Sequence, residues 1–155
     1  MNTRTPFIRW LTVAGLALVA GCSPKPPAVV PVEGTVTLDG QPLPFAHVEF
    51  IPQLKDFGAE YNSTAVTDES GHFVLVCARG QQPGGAVATH KVLVTDHTPD
   101  DLRGMGAQGK LAEYQAKLKN RPIPEAYGVL TRTPLTVEIK SDRGPVELKL
   151  TRSTR

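Results

Sequence analysis

From Val32 onward the chain alternates apolar and polar residues. Val32, Gly34, Val36 and Leu38 alternate with Glu33, Thr35 and Thr37, the period-two pattern of a strand with one buried face. Asp39-Gly40-Gln41-Pro42 reads as a turn, after which Ala46, Val48 and Phe50 alternate with His47 and Glu49 until Pro52. Residues 56–61 read as loop, 64–67 as a third strand, Asp68-Glu69-Ser70-Gly71 as a turn and 72–77 as a fourth strand. A Gly/Pro-rich turn over 79–85 leads into a fifth strand, where Ala88, His90, Val92 and Val94 share one face. The alternation stops at Asp96. Between Gly109 and Asn120 it gives way to Leu111, Tyr114 and Leu118 on one helical face, and Asn120 and Pro122 supply the stop. This short helix is expected to be an insertion lying against the sheet. Strand patterning returns at Leu135, Val137 and Ile139, turns through residues 141–144, and ends with Val146, Leu148 and Leu150. Regular turns between short strands predict an all-β fold, a seven-stranded antiparallel Greek-key sandwich with one short inserted helix.

Residues 1–31 follow a different rule. A basic start (Arg4, Arg9) precedes an apolar run from Trp10 to Ala20, interrupted by Thr12. The run is shorter than the ~20 residues that span a bilayer and reads as a signal peptide over residues 1–21. Leu18-Val19-Ala20-Gly21-Cys22 has the form of a bacterial lipoprotein processing site. Small residues precede a cysteine whose thiol can take a diacylglycerol, with palmitate as a typical acyl chain. The competing reading is an ordinary secretory signal followed by a chance cysteine. The lipoprotein reading places lipid on Cys22 and the protein at the cell membrane or outer membrane, on the periplasmic or surface side. Ser23 is compatible with outer-membrane sorting. Residues 22–31 then form a tether. The stretch Ser23 to Pro31 carries four prolines in nine residues and favours polyproline II, reaching about 28 Å. The β-domain is expected over 32–151, with 152–155 a basic, solvated tail.

Processing changes the charge balance. Removing residues 1–21 takes away Arg4 and Arg9, so 17 basic residues fall to 15 and match the 15 acidic ones. The isoelectric point of 8.6 therefore owes much to the leader, and the mature chain lacks the field that attracts nucleic acid. With Cys22 lipidated, Cys77 is left without a partner for a disulfide. It lies in the apolar run Phe73-Val74-Leu75-Val76-Cys77, where a buried, inert thiol is expected. About 120 residues suffice for one core, not two.

Several runs resemble a known family. Residues 32–50 (Val-Glu-Gly-Thr-Val-Thr-Leu-Asp-Gly-Gln-Pro-Leu-Pro-Phe-Ala-His-Val-Glu-Phe) are similar to the opening strand pair of carboxypeptidase regulatory-like domains, which are transthyretin-like, or prealbumin-like, sandwiches. Residues 65–73 and the Pro-Gly turn leading to His90-Lys91-Val92-Leu93-Val94 fit the same pattern. Residues 123–127 followed by 133–139 resemble the closing section of small lipoproteins of planctomycete-type bacteria. The resemblance covers roughly residues 32–151 and implies a prealbumin/Ig-like sandwich that accompanies other proteins without being catalytic. It departs at His90, where an aromatic is usual, and over 96–122. Some transthyretin-like proteins hydrolyse a purine breakdown product with a Tyr-Arg-Gly-Ser ending, whereas this chain ends Thr-Arg-Ser-Thr-Arg.

Candidate chemistry is sparse. His47, His72, His90 and His97 are scattered singly, without zinc-site spacing. His90 falls on an apolar face and is expected to be a hydrogen-bonded core imidazole. Asp96-His97-Thr98-Pro99-Asp100-Asp101 is the one dense polar cluster, but it lacks the glycine-punctuated acidic spacing of calcium loops. Neither a Gly-x-Ser-x-Gly elbow nor a phosphate-binding loop is present. No catalytic residue, cofactor or metal ligand is expected, and Cys22 is the sole assigned site. The expected function is that of a non-catalytic, lipid-anchored envelope protein with a structural or protein-interaction module. Its partners are the membrane, through the lipid, and an envelope protein. A carbohydrate-binding module of the starch-binding-like type is the first alternative, although Trp10 leaves with the leader and Tyr61, Tyr114 and Tyr127 are the only tyrosines. A metal-dependent activity in the 96–127 segment is the second.

Overall fold

A computed structural model describes residues 24–104, 106–142 and 144–152. The expected leader over residues 1–21 and Cys22 lie outside the described residues. The strands are β1 (Val29–Val30), β2 (Glu33–Leu38), β3 (Gln41–Pro42), β4 (Ala46–Pro52), β5 (Ser63–Val66), β6 (His72–Val74), β7 (Val76–Cys77), β8 (Gln82–Pro83), β9 (Gly85–Ala86), β10 (Thr89–Asp96), β11 (Thr136–Glu138) and β12 (Val146–Leu150). Among the described residues one α-helix is found, α1 (Gln108–Lys117), between β10 and β11. The fold is mostly β, as the alternation requires. One sheet runs β11-β10-β4-β5-β7-β8, a second runs β12-β2-β3 with β6 also on β2, and β1 pairs with β9.

The inner faces of the two larger sheets share one core. Val36, Leu38, Phe73, Val146, Leu148 and Leu150 come from one sheet, and Val48, Phe50, Val92 and Val94 from the other. The Phe50 and Phe73 rings meet across the interface at 6.1 Å. Burying a side chain of this size contributes roughly 1.5–3 kcal/mol. The β2–β3 turn is built as the sequence suggests: Asp39 (φ 52°) and Gly40 (φ 78°) both take left-handed angles, the arrangement that matches a hairpin's twist. Asp68 braces its own turn, accepting hydrogen bonds from the Ser70 and His72 amides at 2.8 and 3.0 Å.

Four expectations need correction. The sandwich is not wholly antiparallel, because β12 runs parallel to β2 in the register Val146↔Gly34 to Leu150↔Leu38. The turn before Val146 does not close a hairpin. It carries the chain from β11, in the larger sheet, across to the smaller one. Gly34 admits the last strand, since a Cβ there would lie 2.1 Å from the Val146 carbonyl oxygen and 2.8 Å from the Phe73 ring.

The run 72–77 is two strands rather than one. β6 pairs with β2 and β7 with β5, in different sheets, and Leu75 is the crossing point, its amide bonded to the Val32 carbonyl at 2.9 Å. Phe73, Leu75 and Cys77 stay buried throughout, so the alternation is blind to the change of sheet.

Val29–Val30, counted with the tether, forms β1 against Gly85–Ala86, and the Val87 amide donates to the Ala28 carbonyl at 2.8 Å. The ordered body therefore starts before Val32. Prolines on either side hide two β-branched residues well suited to a strand.

Arg152, although exposed, is not a free tail residue. Its amide and guanidinium bond Asp39, and its Nη2 donates to Asn120 Oδ1 at 2.8 Å.

The helix forms close to where its periodicity places it, with a Glu113–Lys117 pair at 2.7 Å, yet none of its residues is buried. It rides on the surface instead of completing the core. Among the described residues, no helix is long and apolar enough to cross a membrane.

Candidate functional site

The segment leaving β10 carries the densest polar chemistry. Asp96, the last residue of β10, pairs with Arg121. Arg121 also donates from Nη1 to the Lys119 carbonyl at 2.9 Å and from Nη2 to the Pro44 carbonyl at 2.7 Å. Beside it, Asn120 (φ 58°) donates its side-chain amide to the carbonyls of Leu38, Gln41 and Pro42 at 3.1–3.2 Å. Residues 120–121 thus stitch the end of the insertion onto the β2–β3 turn and the start of β4. Asp100 pairs with Arg103 at 3.4 Å on the surface. Among the described residues, no group of three or more His, Cys, Asp and Glu side chains is placed to hold a metal ion.

The strand register brings together two histidines that look unrelated in the sequence. In the β4–β10 ladder His47 lies opposite Thr95, and the His97 amide continues that ladder with a bond to the Phe45 carbonyl at 3.2 Å. His47 and His97 are therefore diagonal neighbours on one face, a relation of about 7–8 Å between backbones that long side chains bridge. With Thr95, Asp96, Thr98 and Arg103 they line a recess of about 310 Å³. Arg103 Nε donates to the Thr98 carbonyl at 3.0 Å, which holds the guanidinium at the rim. His97 Nδ1 is buried without a hydrogen-bond partner. Burial lowers the His47 pKa, Glu49 raises it, and the nearby charges of His97 and Arg103 lower it. Reading the histidines one at a time misses this site. Pairing the two strands in register finds it.

Other singled-out residues are structural. His90 is fully buried, with Nδ1 3.0 Å from the Ala88 carbonyl and its ring 5.8 Å from Phe50. Nδ1 carries the proton in that bond, and Nε2 has no partner. Burial pushes its pKa down, against a smaller upward effect of the Ala88 carbonyl. Cys77 is free and buried, 3.9 Å from the Glu60 carbonyl. Tyr61 and Tyr127 are buried, so neither offers a flat surface to a sugar ring. A second, more apolar groove of about 340 Å³ lies beside the end of the tether, lined in part by Pro31, Val74, Pro83, Ile139 and Pro145.

No family model, no curated protein and no solved structure matches this chain.

Proposed function

We propose that this is a non-catalytic, lipid-anchored protein of the bacterial cell envelope, whose β-body serves as a structural or protein-interaction module. The single observation that carries the reading is Leu18-Val19-Ala20-Gly21-Cys22 behind a basic, apolar leader. The prolines between Ser23 and Pro31 support it, as spacers between an anchor and a folded body. The reading includes a place at the cell membrane or outer membrane, facing away from the cytoplasm. It also includes a Greek-key strand order of the carboxypeptidase regulatory-like, prealbumin type, supported by the pattern of residues 32–50 and 65–73. A protein of the same envelope is the partner class that such a module would engage.

Expression with a clickable fatty-acid analogue, followed by membrane fractionation, tests the anchor. Label in the membrane fraction that disappears in Cys22→Ala is the expected result. An unlabelled wild-type chain rejects it.

A further inference from the structure

We propose that the recess between His47, His97 and Arg103 is a binding site for a small tetrahedral oxyanion of the phosphate class. It goes beyond the anchor and does not depend on it. The recess of about 310 Å³ is within the size range of small-ligand sites and has a largely polar wall. Beside Asp96 it is lined by groups that oxyanions seek: two imidazoles, the threonines at 95 and 98, and a guanidinium, whose charged N–H groups make the stronger class of hydrogen bond.

The carboxylates that would favour a cation are already engaged. Asp96 is held by Arg121, and Glu49 accepts from the Asn62 amide at 3.0 Å. Asp100 touches Arg103 only at 3.4 Å, with both side chains more than half exposed, a contact weak enough to yield to a ligand. His97 Nδ1 is buried and unpartnered, a state disfavoured for a polar group, and a turn of the ring toward the recess would bring it to a ligand oxygen.

The titratable and charged groups around the pair are Glu49 on β4, Asp96 at the end of β10, Asp100 and Arg103 in the following turn, and Arg121 after α1. An oxyanion placed among them offsets the burial and the like charges that oppose protonation of His47. Binding should therefore take up protons.

The test is a titration of the full-length chain in detergent with inorganic phosphate, at constant ionic strength and a pH of about 6.5, where imidazole titrates. The histidine ring resonances and the heat of binding in two buffers are followed. Saturable shifts at His47 and His97, with His72 and His90 unmoved, are expected together with proton uptake. Sulfate should reproduce the effect and chloride should not. Arg103→Gln, a change at an exposed side chain, and His47→Gln should each weaken binding about ten- to a hundredfold. A response that does not saturate, an equal response to chloride, or unchanged affinity in either variant overturns the proposal.

Discussion

Arg152 Nη2 donates to Asn120 Oδ1 at 2.8 Å, joining the second residue after β12 to the end of the inserted segment. The same asparagine amide reaches three carbonyls on the β2–β3 side. Its left-handed backbone suits asparagine better than most residues. Asn120→Ala removes these bonds and strains the backbone, and should destabilise the fold by about 1–3 kcal/mol. Hydrogen exchange should accelerate first in 97–121 and at the β2–β3 turn. Uniform protection across that segment in the variant would contradict the assignment.

Gly34 sits where the chain has no room for a side chain. A Cβ there meets the Val146 carbonyl and the Phe73 ring, so Gly34→Ala must displace β12 or Phe73. A loss at the upper end of the overpacking range, about 3 kcal/mol or more, is expected in denaturant melts. Gly40→Ala serves as the control, because nothing lies within 4 Å of its added carbon and only its left-handed φ is penalised.

Acid should weaken the fold through His90. Its folded pKa lies below the ordinary 6.5, chiefly because of burial, so between the two values the unfolded chain binds more protons. Stability is then full above about pH 6.5 and declines as pH falls toward the folded value, by up to about 1.4 kcal/mol per unit. His47 is lowered also and adds in the same direction. Thermal melts of wild type and His90→Leu across this range should diverge, with a shallower pH dependence in the variant. Parallel curves would show that His90 is not the source.

The docked part of the tether depends on Gly84. Its φ is 118°, and an added Cβ would sit 1.9 Å from the Val30 carbonyl oxygen. Gly84→Ala should release β1 and leave the core intact. Limited proteolysis should then cut near residues 28–31 while the melting temperature falls by only a few degrees. Protection of that site equal to wild type would show that β1 does not rest on this glycine.

The long strands were legible because their alternation is local: β2, β4, β10 and β12 fall where the apolar residues recur at every second position. What escaped depends on pairings between distant residues. The parallel β2–β12 pair, the exchange of sheets at Leu75 and the joining of His47 to His97 leave no mark on a single segment, since side-chain period is the same whichever neighbour a strand takes. Arg152 was hidden for another reason. A charged residue beside a chain end resembles a solvated tail until Asp39 and Asn120 are known to lie beside it. Asp68 and the Asp39-Gly40 turn were readable because their chemistry is confined to a few neighbouring residues.

Placing β12 alongside β2 has a consequence for biogenesis. The smaller sheet needs residues 146–150 beside 34–38, so it cannot be completed until residues 146–150 have themselves been synthesised and freed to pair. Such distant partners must wait through a costly closure of the intervening chain. Maturation of this body is therefore a late event, and chains truncated before Val146 should remain incompletely assembled however well their earlier strands associate.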